Sequence, residues 1–186
     1  MTNADPIAAA HDQWVAHGWT DAADGMALVT SITRAQQLLV ERVEDALRPY
    51  GLSFARYEIL RLLAFSRRRS MSMSRLGSLL QVHATSVTSA VDRLEKQGLV
   101  ERLRPQRDRR MVLASITTKG VEVVEAATAD LNIKVFTSPG LDPDQVDVAT
   151  ELLTALRSAH GDTVSDHLGR DSAAAQANGD AARLRE

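Results

Sequence analysis

Cysteine is absent from the 186 residues, which excludes a disulfide, a thiolate metal site and any thiol-based redox switch. Aromatic residues make up only 4% of the chain, and no apolar run approaches the ~20 residues needed to span a bilayer. The acidic N-terminus lacks the basic and apolar zones of a signal peptide, so a cytoplasmic protein without membrane association is expected. The five histidines include no i, i+4 pair on a helix, so a zinc site lacks its usual ligand set and neither metal nor cofactor is expected. A glycine-rich phosphate loop, a nucleophile elbow and an H-E-x-x-H motif are all missing, and the chain does not read as an enzyme.

What is present is unevenly distributed. Hydrophobic content of 44% with 25% charged residues suits a globular protein, most simply one domain with a sizeable core. The net charge of -2 conceals a basic centre: residues 67–110 hold eleven Lys and Arg against four Asp and Glu, whereas the rest holds eleven against twenty. Five of these cations, Arg102, Arg104, Arg107, Arg109 and Arg110, fall within nine positions. Such a segment is either a solvated charged face or a surface made for a polyanion, and local structure has to decide.

The periodicity is mostly helical. Asp5-Pro6 opens a short helix ending near Gly18, and a longer one runs from about Asp24 to Arg48, with Val29, Ile32, Gln36, Leu39, Val43 and Ala46 on one side. Ser53 caps a third, apolar on much of its circumference and therefore central. Residues 66–72, SRRRSMS, read as a polar loop, and Met71 and Met73 as exposed loop methionines that could oxidise but are more simply there for packing or by chance. Two short helices follow, Ser74 to Leu80 and Ala84 to Gln97. Leu99 to Arg104 and Met111 to Ile116 read as a hairpin joined by PQRDRR. Thr117 caps a helix to about Val135, and Asp142-Pro143-Asp144-Gln145 opens the last one with a capping box. Residues 161–186, rich in Ala, Asp, Arg and Gly, are expected to be flexible or marginally helical.

Two short helices joined by a tight turn form a helix-turn-helix, which places its second helix in the DNA major groove. On ATSVTSAVDRLEKQ, Val87, Val91 and Leu94 make the stripe that must face the core. Thr85, Ser86, Thr88, Ser89 and Arg93 then face outward, as small hydroxyls and one cation able to meet bases or phosphates. Taken alone this is also a common solvent-exposed face. The hairpin that follows supplies the second element: a wing whose Arg107, Arg109 and Arg110 can enter the minor groove. Asp108 among them is read as an acceptor that fixes where the arginines point.

From about residue 53 to 120 the chain resembles the MarR family of bacterial winged-helix regulators. The resemblance is carried by TSVTSAVDRLEKQGLVER, the RDRR wing and LASITTKG, and the order of helices extends it to roughly residues 24–158. Gln81 stands where the family usually carries glycine, and Gly77 where it usually carries alanine. The resemblance implies a mainly α fold, with a winged helix-turn-helix head over about 53–117 and dimerisation helices over about 24–48 and 117–160. Together these form a domain over 24–160, preceded by an N-terminal extension, 1–23, with a short helix. It further implies a homodimer on a double-stranded DNA operator of pseudo-palindromic sequence, acting as a repressor that a small ligand releases. The family's ligand pocket typically lies between the dimerising helices and the head. An added N-terminal helix helps cover it in the urate-responsive branch.

For such a ligand, a small aromatic or anionic molecule, Trp14 and Arg34 are the candidate partners through stacking and charge pairing. The competing reading has Trp14 and Trp19 anchoring the N-terminal helix. In place of DNA, the basic face could instead meet an acidic protein, which would make the chain a winged-helix protein-interaction module.

Overall fold

The computed structural model describes residues 5–81, 84–104 and 111–164. The chain divides into two compact units, Met1–Thr137 and Ser138–Glu186. In the first, α1 (Pro6–Ala16) is capped by the Asp5 carboxylate, which accepts from the Ile7 amide at 3.0 Å. It ends at Gly18, whose φ of +84° is one that glycine adopts without strain. The long α2 (Thr20–Leu47) begins four residues earlier than the expected Asp24, so Asp24 lies inside the helix and bonds His11 of α1 at 3.1 Å. Its apolar stripe is covered unevenly: Val43 and Ala46 are buried and Ile32 half-buried, whereas Val29 is 65% exposed.

Helix α3 (Phe54–Phe65) is the hub, with Ile59, Leu60 and Leu63 fully buried. Around it pack Leu76 of α4 (Met73–Leu80), Val87, Val91 and Leu94 of α5 (Ala84–Lys96), and Val124, Ala127 and Leu131 of α6 (Thr118–Leu131). Truncating such a leucine to alanine typically costs about 2–5 kcal/mol. Polar contacts fix α3 on α6. Arg61 donates to the Glu125 carboxylate at 2.8 Å and the Val124 carbonyl at 2.9 Å, and the Tyr57 hydroxyl pairs with that of Thr128 at 3.0 Å. The Arg61 guanidinium holds the Glu125 carboxyl below the usual carboxylate range.

The sheet has three antiparallel strands, β1 (Ser70–Ser72), β2 (Val100–Leu103) and β3 (Leu113–Ile116), in the order β1-β3-β2. In register, Val100 faces Ile116 and Leu103 faces Leu113, while Ser70 faces Ser115. This corrects the reading of 66–72 as a loop throughout. Three residues, two of them serines, carry too little pattern to announce a strand, and β3 supplies its hydrogen-bonding partner. It also decides between the readings of the methionines in favour of packing, since Met71 and Met73 pack on the core.

Thr117 caps α6 by accepting from the Gly120 amide at 3.0 Å. The helix that was expected to reach Val135 passes into a π-helical turn over Asn132–Phe136. In the second unit, α7 (Pro143–Ala159) starts with the anticipated capping box: the Asp142 carboxylate accepts from the Gln145 amide at 2.9 Å, and the Asp142 amide donates to the Gln145 side chain at 3.1 Å. No residue of α7 is buried, and Leu152 is 67% exposed.

Candidate nucleic-acid interface

The helix-turn-helix is assembled from α4 and α5. Ser72 caps α4 by accepting from the Arg75 amide at 3.3 Å. Gln81 ends it at φ 53° and ψ 37°, donating its amide to the Gly77 carbonyl. This left-handed conformation explains why glycine is usual at that point of the motif: a side chain there costs roughly 1–2 kcal/mol. Val82 and His83 of the turn lie outside the described residues.

On α5 the inward stripe is as the spacing predicts, with Val87, Val91 and Leu94 at 1% exposure or less. Thr85, Ser86, Thr88, Ser89 and Arg93 are all exposed. Four of them, Thr85, Ser86, Ser89 and Arg93, line a cleft of about 440 Å³ together with Ala90 and, from the start of α3, Ser53 and Arg56. Arg56 was not anticipated. It sits one turn into a helix that reads as core, and only the packing of α3 against α5 brings it beside Arg93, so no local signal marks it. Ser53 occupies the N-cap position of α3, but its hydroxyl accepts from Arg56 Nε at 3.2 Å, which steers the guanidinium. The Arg93 side chain has no partner among the described residues.

The acidic residues of α5 are held off this face. Arg102 of β2 pairs with Asp92 and, at 3.4 Å, with Glu95. One of the five clustered arginines is therefore committed to the recognition helix itself. The pairing neutralises both carboxylates of α5. The cleft thus offers two guanidinium groups and four hydroxyls, a donor set suited to phosphate and base-edge acceptors.

The base of the wing is stitched to α6. The Thr117 hydroxyl donates to the Gly98 carbonyl at 2.8 Å, its amide to the Leu99 carbonyl at 3.0 Å, and Lys119 Nζ to the Gln97 carbonyl at 3.0 Å. The Gln97 side chain in turn donates to the Gly51 carbonyl at 3.1 Å. The glycine that closes LASITTKG has a packing reason: a Cβ on Gly120 would lie 2.2 Å from the Leu99 carbonyl oxygen. Arg107, Asp108, Arg109 and Arg110 lie outside the described residues. Arg104, at the edge of that segment, is exposed.

Trp14 and Arg34, the candidate ligand partners, are not brought together. Trp14 lines a cleft with Gly18, Trp19, Asp21 and Ala22, whereas Arg34 lies about 20 Å further along α2 from Asp21 at 1.5 Å per residue. There it donates to the Gln37 side chain at 3.3 Å. No group of metal-binding side chains occurs among the described residues, and no described helix is long and apolar enough to cross a membrane.

The same architecture recurs in known proteins. The family model described as MarR matches residues 50–111. The chain is similar to Sco5413, a MarR family transcriptional regulator from Streptomyces coelicolor, at 46% identity over 75% of this chain and 99% of that one, with a TM-score of 0.68. The chain belongs to the MarR family. Its mainly helical fold with a small antiparallel sheet is that of the family's winged helix, and membership assigns a regulator, not an enzyme. A second MarR family transcriptional regulator from S. coelicolor, Sco3205, solved in complex with DNA, is 28% identical over 75% of this chain and 88% of its own, with a TM-score of 0.63. Among curated relatives, the HTH-type transcriptional regulator PrsX of Escherichia coli is 30% identical over 95 residues, which span 51% of this chain and 57% of PrsX.

Proposed function

We propose that this MarR-family chain is a dimeric DNA-binding regulator that represses transcription from a pseudo-palindromic operator and is released by a small molecule. The observation that carries DNA binding is the joint cleft of α3 and α5, where Arg56, Arg93 and the α5 hydroxyls converge while Arg102 withdraws the carboxylates. The DNA complex of the relative Sco3205 supports the same use of the fold. In this reading Thr85, Ser86, Thr88 and Ser89 meet base edges, and Arg56 and Arg93 clamp flanking phosphates. Arg107, Arg109 and Arg110 of the wing reach the adjacent minor groove, with Asp108 orienting them.

Dimerisation is supported by apolar surface that one chain leaves uncovered. On α7, Val148, Leu152, Leu153 and Leu156 are exposed, and on α2 so are Leu28, Val29, Leu38 and Leu39. A 17-residue helix with no buried side chain is marginal in water, and a second copy supplies the missing cover. Two heads then meet half-sites about one helical turn apart. Ligand release follows the family's typical architecture: a molecule that favours a different head spacing shifts the population away from the DNA-competent one.

The test is fluorescence anisotropy with the duplex upstream of the chain's own gene, over a range of salt. Saturable binding whose log affinity falls steeply with log salt is expected, and Arg109→Ala should make that slope shallower by about one unit per lost contact. Absence of binding at moderate salt would leave the acidic-protein module as the reading of the basic face.

A further inference from the structure

The hairpin of α1 and α2 builds a site of a different kind. Its turn is tight, with the Gly18 amide donating to the Val15 carbonyl and the Trp19 amide to the Trp14 carbonyl, each at 3.0 Å. This brings the two tryptophans together, ring centroids 5.3 Å apart and planes at 74°, so that they form two walls of a corner. The cleft they enclose has a volume of about 380 Å³. Its other boundaries are Gly18, Asp21 and Ala22. No atom lies within 4 Å of where a Gly18 Cβ would stand, so that side of the cleft is open.

The formal charge around it is negative apart from two histidines, His11 and His17, and the His17 ring centroid lies 5.5 Å from that of Trp19. Residues 1–33 contain four aspartates and no lysine or arginine. Asp12 and Asp24 are both engaged by His11, at 3.4 and 3.1 Å. Asp21 has no side-chain partner among the described residues. Arg34, the cation expected to receive an anionic ligand beside Trp14, does not line this cleft. Asp21, in the first turn of α2, offsets the positive end of that helix, so an anion placed here would meet an acidic residue and two indole rings. A cation would gain from all three, since indole is the best of the aromatic partners for cation–π attraction.

We propose that the Trp14–Trp19 corner, with Asp21 at its rim, binds a small organic cation of the alkylated ammonium class. Alkylation matters because the cleft offers one carboxylate and little other polar surface. A primary ammonium, strongly hydrated, would lose water partners that these walls cannot replace. A quaternary head is weakly hydrated and sheds that water readily, and the volume accommodates it with a short apolar substituent. The assignment reverses the charge expected of the ligand from Trp14 and Arg34 and does not depend on whether the head binds DNA.

Trp14 and Trp19 are the only tryptophans in the chain, so intrinsic tryptophan emission reports directly on the corner. The full chain is titrated with phenyltrimethylammonium, with benzoate and sodium chloride as matched controls. Expected is a saturable emission change in the millimolar range or tighter for the ammonium compound only. Asp21→Asn should weaken it about fivefold, and Trp19→Leu by at least as much, in keeping with cation–π and charge contributions at a partly exposed site. Circular dichroism of both variants should match the parent, because both side chains are exposed. Benzoate binding as tightly as the ammonium, an unsaturated response equal to that of sodium chloride, or an unchanged affinity in Asp21→Asn would each overturn the proposal. So would an emission that changes with protein concentration and no longer responds to the cation once the chain self-associates, because a second copy would then cover the corner.

Discussion

Replacing Gly120 by alanine sets two physical effects against each other, and the structure decides their sum. Helix propensity alone favours alanine by about 1 kcal/mol. The added Cβ, however, would stand 2.2 Å from the Leu99 carbonyl oxygen and 2.7 Å from Ile116 Cγ1. The first of these is backbone and cannot rotate away. To reach ordinary contact, the first turn of α6 has to move by more than about 1 Å from residue 99, and overpacking of this kind typically costs ~1–3 kcal/mol. The same carbonyl accepts the Thr117 amide at 3.0 Å, and its loss adds about 0.5–1.5 kcal/mol. The net expectation is a destabilisation of about 1–3 kcal/mol, or roughly 2–12 °C in melting temperature for a chain of this size. Urea and thermal unfolding measure it. Gly25→Ala is the internal control, since nothing lies within 4 Å of a Cβ there and propensity should act alone, stabilising by up to about 1 kcal/mol. A Gly120→Ala protein as stable as Gly25→Ala would refute the close approach of α6 to the base of the wing.

Other perturbations probe separate parts of the account. Leu152→Asp should produce monomers or unfolded chain, because an unpaired charge in an apolar interface costs several kcal/mol; in an isolated chain Leu152 is 67% exposed, so a dimeric and unaffected variant would place the interface elsewhere. Arg102→Ala should change stability by about 1 kcal/mol or less, as for exposed ion pairs, yet weaken DNA binding by unmasking Asp92 and Glu95. Adding Asp92→Asn and Glu95→Gln should restore the affinity, and failure to restore it would mean that Arg102 touches DNA itself. The His11 imidazole is held above the ordinary histidine value by the hydrogen bonds it donates to the carboxylates of Asp24 first and Asp12 second. Its folded value is raised, so the link between α1 and α2 is fully present below the unfolded value and is lost as pH rises through the folded one. An NMR titration of His11 should therefore move down in Asp24→Asn, and an identical titration would dissociate the ring from that carboxylate.

The sequence made the head legible where period and motif agreed. Val87, Val91 and Leu94 repeat at helical spacing and are buried, and Asp142 and Gln145 form the capping box that their spacing announces. What it hid depended on partners distant in the chain. β1 exists because β3 offers a ladder to three residues with no pattern of their own. Arg56 belongs to the basic cleft only because α3 crosses α5, and Arg102, read as one of a cluster, is separated from it by Asp92 and Glu95. Trp14 and Arg34 shared a plausible chemistry, but the helical rise along α2 keeps them apart. Chemical type is read from sequence easily; which charges end up side by side is set by packing.

Whether the outer face of α5 reads DNA sequence is decided by binding of single alanine variants to two duplexes. A cognate site is first selected from a random library with the parent protein, and a scrambled duplex of equal length and charge serves as reference. Thr85→Ala, Ser86→Ala, Thr88→Ala and Ser89→Ala are compared on both at constant salt. At least one should lose about 1–3 kcal/mol on the cognate duplex and much less on the scrambled one. Arg56→Ala and Arg93→Ala, as phosphate contacts, should instead lose affinity alike on both. If every hydroxyl variant binds both duplexes as the parent does, or loses equally on both, α5 does not read bases and the account fails at its centre.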